Sequence, residues 1–338
     1  MKYLASLIAM VVLQSLSFVS GLHASSFLPI PPPVASVSTS AIGINDRGQV
    51  VGSLSTDGLT DLAYIRSSNG VYQTFQVDGN TTQARGINNQ GIVTGFYAPP
   101  GIILEFVRTP DGTISDITKE SETLIGIVQG INAAGEFVGD YVREPGSVPL
   151  RGGYIGRDAL FEADVDLPFA ALRVAARGIN ANGDIAGWFV DENGGLPQGF
   201  IIRNGVTMVL SYPAPGATTF VQGLNNRGQL SGSWVDAEGN NHGFMLASDL
   251  ATWTSFDVPG SEQTEAFQIN NLGQIAVVGA GPAGTEAYIY CPGNAGVCAG
   301  NPTAHLPANE TVVMGEALSA PAQPAAGSVA VRHRHIEK

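Results

Sequence analysis

Gly43-Ile44-Asn45-Asp46-Arg47-Gly48 returns five more times along the chain, and this recurrence decides the fold. The copies are Gly86-Ile87-Asn88-Asn89-Gln90-Gly91, Gly130-Ile131-Asn132-Ala133-Ala134-Gly135, Gly178-Ile179-Asn180-Ala181-Asn182-Gly183 and Gly223-Leu224-Asn225-Asn226-Arg227-Gly228. A degraded copy, Gln268-Ile269-Asn270-Asn271-Leu272-Gly273, closes the series. Successive copies begin 43, 44, 48, 45 and 45 residues apart. A period this regular marks a repeat architecture and outranks any local motif.

Each copy reads as a turn. The apolar second residue ends a strand, and Asn opens a type I turn whose side chain can bond backbone two residues on. The final Gly suits the left-handed position of a three-residue hairpin. A second strand follows at once, as in Val50-Val51-Gly52, Ile92-Val93-Thr94-Gly95 and Leu230-Ser231-Gly232. Six equivalent Asn residues belong to a scaffold, since a catalytic site needs one or two. About 20 residues into each repeat an aromatic recurs, at Tyr64, Phe106, Tyr154, Phe200, Phe244 and Tyr288, which predicts a third strand with one large buried ring. A fourth strand follows, as in Tyr72-Gln73-Thr74-Phe75 and Trp253-Thr254-Ser255-Phe256.

Four short antiparallel strands per repeat define the blade of a β-propeller, so the expected fold is all-β, a six-bladed β-propeller over residues 26–300. The last repeat lacks a fourth strand, and Ser26-Phe27-Leu28-Pro29-Ile30-Pro31 resembles the fourth-strand word Ser255-Phe256-Asp257-Val258-Pro259. The N-terminal strand is therefore expected to close the last blade and leave no open edge. An open solenoid of stacked units is the competing architecture, but such stacks favour shorter repeats and polar caps.

The phrase Gly-Ile-Asn-x-x-Gly-x-Val-x-Gly, followed by His242-Gly243-Phe244, resembles the extracellular HAF repeat family, named for a His-Ala-Phe word. Only the fifth repeat keeps the His. The resemblance covers residues 41–290 and implies secreted or surface bacterial proteins of propeller-like shape, mostly without an assigned activity. It brings no catalytic residues with it.

The ends read differently. Residues 1–24 form a secretory signal peptide, with Lys2 ahead of an apolar stretch over 4–16 and cleavage after Ala24 or Ser26. The apolar stretch is short for a membrane anchor, and the mature chain is expected to have no membrane span. Secretion, or residence in the periplasm or at the cell surface, follows. Residues 301–338 drift to Ala, Pro and Ser and end in Arg332-His333-Arg334-His335, the composition of a disordered tail. In an exported chain Cys291 and Cys298 should pair as a local disulfide, across the turn that Pro292-Gly293 permits. The 338 residues carry a net charge of −13 and only 13% charged side chains, which argues against nucleic acid as a partner.

Candidate chemistry is sparse. Only His242 lies within the repeats, which leaves no Ser-His-Asp triad and no His-rich metal site there. Asp57, Asp191 and Asp236 sit in Asp/Gly/Asn hairpins, and in the last, Asp236-Ala237-Glu238-Gly239-Asn240, turn formation competes with a calcium-binding reading. Two residues past the second-strand Gly stand Leu54, Tyr97, Tyr141, Phe189 and Trp234, with Trp188 beside Phe189. Strand alternation puts this series on one face of each blade, either packed between blades or forming an aromatic ligand-binding rim for sugars or apolar ligands. The reading is an exported binding or structural module that acts on extracellular carbohydrate or protein, needs no cofactor and works as a monomer. The alternative is a glycoside hydrolase or lyase with Asp140, Asp191 and Asp236 at the propeller mouth.

Overall fold

The computed structural model describes residues 26–117, 125–142 and 151–293. The expected signal peptide, the tail and Cys298 lie outside them. The chain begins with β1 (Ser26–Ile30), and the first repeat supplies β2 (Ser38–Ile44), β3 (Val50–Ser55), β4 (Leu62–Arg66) and β5 (Tyr72–Phe75). The second supplies β6 (Thr81–Ile87), β7 (Val93–Ala98), β8 (Leu104–Arg108) and β9 (Ile114–Asp116). Then come β10 (Ile125–Ile131), β11 (Phe137–Val142), β12 (Arg151–Arg157) and β13 (Leu160–Val165). The fourth repeat gives β14 (Ala171–Ile179), β15 (Ile185–Asp191), β16 (Gln198–Arg203) and β17 (Val206–Leu210). The fifth gives β18 (Thr218–Leu224), β19 (Leu230–Val235), β20 (Asn241–Leu246) and β21 (Trp253–Phe256). The sixth ends with β22 (Gln263–Ile269), β23 (Ile275–Gly281) and β24 (Gly284–Cys291).

Pairing is antiparallel between consecutive strands within each repeat, and the first strands β2, β6, β10, β14, β18 and β22 neighbour one another in a closed circle. The fold is an all-β propeller. Hydrogen bonding groups its strands into four sheets, two of four strands and two of eight. Each eight-stranded sheet is two quartets joined at a single parallel residue pair, Ser38 with Thr285 or Arg151 with Arg173. β1 pairs antiparallel with β24, Phe27 opposite Tyr290 and Ile30 opposite Ala287. No described helix is long and apolar enough to cross a membrane.

The core lies between the faces of successive quartets. Val51, Ala63 and Phe75 of the first repeat pack with Ala84, Val93 and Phe106 of the second, and Ala186 and Ile201 pack with Val221 and Phe244. The recurring third-strand aromatics Tyr64, Phe106, Tyr154, Phe200 and Phe244 are wholly buried. At about 2–3 kcal/mol of apolar burial each, they anchor the quartets. Their rings lie over the second-strand glycines: a Cβ at Gly95 would stand 2.7 Å from Phe106 and 2.1 Å from the Gln83 carbonyl. In the last repeat Val277 takes the glycine's place opposite Tyr288, which is only half-buried and packs edge-on to Phe27 of β1.

Candidate functional site

The six Asn turns gather at one end of the central channel. In each, the Asn carbonyl accepts from the final Gly of the phrase, whose φ lies between 72° and 84°. Asn45 Oδ1 accepts from the amides of Arg47 and Gln49 at 3.1 and 3.0 Å, and its equivalents do the same. Asn45 Nδ2 donates outward to the Asn88 carbonyl at 2.9 Å. Asn88 donates to Asn132, Asn132 to Asn180, Asn180 to Asn225, Asn225 to Asn270, and Asn270 back to Asn45. Six side chains thus close a cycle of hydrogen bonds around the axis. Inside it lie Ile44, Ile87, Ile131, Ile179, Leu224 and Ile269, lining a shallow pocket. Every amide of the cycle is already engaged, and the polar side chains Asp46, Asn89, Asn226 and Asn271 line the pocket as well.

One residue deeper the channel has a waist. The first Gly of each phrase brings neighbouring strands so close that a Cβ on Gly43 would lie 2.8 Å from the Arg85 carbonyl, and one on Gly130 2.7 Å from the Arg177 carbonyl. The sixth phrase has Gln268 there instead. Its Nε2 reaches across two repeats to the carbonyls of Arg177 and Gln222, both at 2.8 Å, so one amide bridges three inner strands.

Beyond the waist, towards the opposite mouth, the inner strands carry a band of charged and aromatic side chains. The first five inner strands have a register shift immediately before the phrase, between Ala84 and Gly86 or Ala176 and Gly178, for example, and in β22 the shift runs from Ala266 to Ile269. Such a bulge re-aims one side chain. The shifted residue is Arg85 on β6 and Arg177 on β14, and the Arg177 charge acts on Arg85. Burial, and secondarily the Arg177 charge, holds Arg85 down at about 10. Arg85 donates to Gln83 Oε1 at 2.9 Å and lies 5.3 Å over the Phe96 ring, while its buried Nε has no hydrogen-bond partner. Arg177 stands 3.4 Å from Asp140 Oδ1 and 5.7 Å over the Trp188 ring. Trp188 meets Phe220 of β18 edge-on at 5.3 Å, and its buried indole Nε1 is also unpartnered. Glu265 of β22 is exposed to the channel mouth; desolvation by its surroundings pushes its carboxyl up, against the pull of Arg85.

The residues nominated from sequence divide. Tyr97, Tyr141 and Phe189 are buried between quartets, with the two hydroxyls bonded to Asp116 at 3.0 Å and Asp164 at 2.6 Å. Trp188 joins the channel band. Trp234 is half-exposed, but both of its faces are covered, by Tyr212 at 4.1 Å and by His242 at 4.5 Å. The five therefore do not form one open rim. Leu54 is buried as well. Asp191 and Asp236 accept amides of their own hairpins, at Asn193 and Gly195 and at Glu238 and Asn240. Turn formation accounts for them, and among the described residues no group of three or more His, Cys, Asp or Glu side chains could hold a metal ion. Of the three acids named for a hydrolase, only Asp140 belongs to the band.

Sequence reasoning passed over Arg85, Arg177 and Glu265. A signal for the arginines existed: they occupy the position just before the constant phrase, which reads Ile42, Arg85, Gln129, Arg177, Gln222 and Phe267. A position of changing chemistry beside an unchanging phrase is where a repeated scaffold carries its individuality.

In sequence the chain matches no family model and no curated protein. Solved structures do match it in shape. A protein assigned as TolB from Agrobacterium tumefaciens superposes with a TM-score of 0.51 at 13% identity, covering 79% of this chain and 97% of the other. Aleuria aurantia lectin gives 0.48 at 10% identity, with 76% and 94% covered. Streptogramin B lyase gives 0.46 at 11% identity, with 78% and 97% covered. The TolB likeness supports the propeller fold and nothing finer.

Proposed function

We propose that the chain is an exported six-bladed propeller of the HAF-repeat kind that works as a binding module, with its ligand taken on the channel band. The six-blade count is supported by the closed Asn cycle and by the quartet pairing, with β1 as the outer strand of the sixth blade. Export is supported by the leader composition of residues 1–24, and it makes a Cys291–Cys298 disulfide the natural fate of two cysteines in one short loop. Cys291 itself is wholly buried at the end of β24.

The observation that carries the binding reading is Arg85, a desolvated cation on an inner strand whose charge is opposed by that of Arg177 and whose buried Nε has no hydrogen-bond partner. Such groups cost stability, and folds tolerate that cost where it serves a ligand. The test needs no ligand. Arg85→Met keeps the chain length and apolar contact with Phe96 while removing a desolvated cation. It should raise the melting temperature, by about 1 kcal/mol in stability. A loss of stability of that size would make the band a structural network and defeat the proposal.

A further inference from the structure

We infer that the pocket inside the Asn cycle binds an uncharged amide carbonyl carrying a short aliphatic group, at a site separate from the channel band. The residue after each cycle Asn builds an outer tier of hydrogen bonds around this pocket. In four repeats its backbone amide donates to the side chain at the same place in the next repeat. The Asp46 amide donates to Asn89 Oδ1 at 2.9 Å, and the Ala181 and Asn226 amides donate to Asn226 and Asn271 Oδ1, both at 2.8 Å. The Asn271 amide donates to Asp46 Oδ1 at 2.6 Å. In the third and fourth repeats that place holds Ala133 and Ala181, so the amides of Asn89 and Ala133 find no acceptor among the described residues. Both alanines are exposed. The Ala133 carbonyl already accepts from Gln90 Nε2 at 2.9 Å, and what this sector lacks is an acceptor.

The same sector opens the apolar wall. The pocket measures about 70 Å³, against the roughly 10–15 Å³ that one water needs, which leaves room for a short aliphatic group. Of the six aliphatic side chains around it, five are buried, and Ile131, two residues before Ala133, is half-buried. Apolar surface and two waiting donors therefore meet beside one repeat. A single amide oxygen can accept from two backbone amides, as Asn45 Oδ1 does from Arg47 and Gln49. Charge selects a neutral ligand. Asp46 is the one charged residue lining the pocket, and its carboxylate already accepts from the Asn271 amide and from Nδ2 of both Asn89 and Asn271. An anion would face that carboxylate with no lining cation to offset it. A cation would meet donors where it needs acceptors.

The experiment is an amide-proton NMR titration of the isotope-labelled whole protein with isobutyramide, and with isobutyrate and isobutylamine as charged probes of the same shape. Isobutyramide should shift the Asn89 and Ala133 resonances saturably, with a Kd of about 10 mM for so small a ligand, and the charged probes should bind about tenfold or more weakly. Ala181→Asn offers the Ala133 amide the acceptor that Asn226 gives Ala181, and Ala133→Asn does the same for Asn89. The double variant should melt higher and bind isobutyramide about tenfold more weakly. Each single variant should protect one of the two amides from hydrogen exchange. The inference is overturned if isobutyramide shifts neither amide, if isobutyrate or isobutylamine binds as well, or if the double variant binds as the wild type does.

Discussion

Asn132 shows how much one amide can do. Its Oδ1 accepts from the amides of Ala134 and Glu136, and its Nδ2 donates to Glu136 Oε2 and to the Asn180 carbonyl. The turn half of this was legible in the sequence, because Asn before a tight turn has a local reason to be there. The other half was not, since the Asn180 carbonyl lies 48 residues away and only the closed circle brings it near. Asn132→Ala removes both halves and strands buried backbone groups, a loss of about 3 kcal/mol by chemical denaturation. Asn132→Asp keeps the turn acceptors but sets a carboxylate against a carbonyl and Glu136. It should be destabilised too, with the turn left intact.

His242 makes a second prediction at this scale. Partial burial of its ring opposes the charged form, yet hydrogen bonds to Asp257 at 2.9 Å and Asp236 at 3.3 Å outweigh it and raise the pKa. The stability from this pairing is therefore full below the unfolded value near 6.5 and lost as pH rises through the raised folded value. The melting difference between the wild type and His242→Gln should favour the wild type at pH 5.5 (about one unit below that reference) and shrink towards pH 8.5. A difference that grows with pH would contradict the arrangement.

At the scale of the element, β1 carries the clearest consequence. Its pairing with β24 was foreseeable from the missing fourth strand and the likeness of two short words. Phe27 gives the strand its grip, with ring contacts to Phe256 at 6.0 Å, Tyr288 at 6.2 Å and Tyr290 at 5.4 Å. Phe27→Ala should cost about 3 kcal/mol, and hydrogen exchange should show β24 losing protection before β3 or β7. The inner-strand bulges were not legible. A bulge leaves the alternation of short strands looking ordinary, so the side chains that it turns into the channel cannot be picked out from spacing alone. The aromatic series failed as a single rim for a related reason. Strand alternation assigns a face, but whether that face meets a neighbour or solvent depends on the packing between quartets, which buried Tyr97, Tyr141 and Phe189 and left Trp234 layered between two rings.

At the scale of the whole molecule, repetition holds the circle and departures from it give the molecule its chemistry. Five phrases begin with Gly because neighbouring backbones leave no room for a Cβ. Gly130→Ala should therefore destabilise by about 2 kcal/mol through backbone contact, read as a lower denaturation midpoint with unchanged slope. The sixth phrase departs from the pattern, and Gln268 is the result.

That single amide settles what kind of ring this is. A ring of blades with an open bore could be strung like a bead along a filament, or could pass water from face to face. Laced across its axis by Gln268, which binds the carbonyls of Arg177 and Gln222, this ring could admit a threaded filament only after both of those bonds had broken.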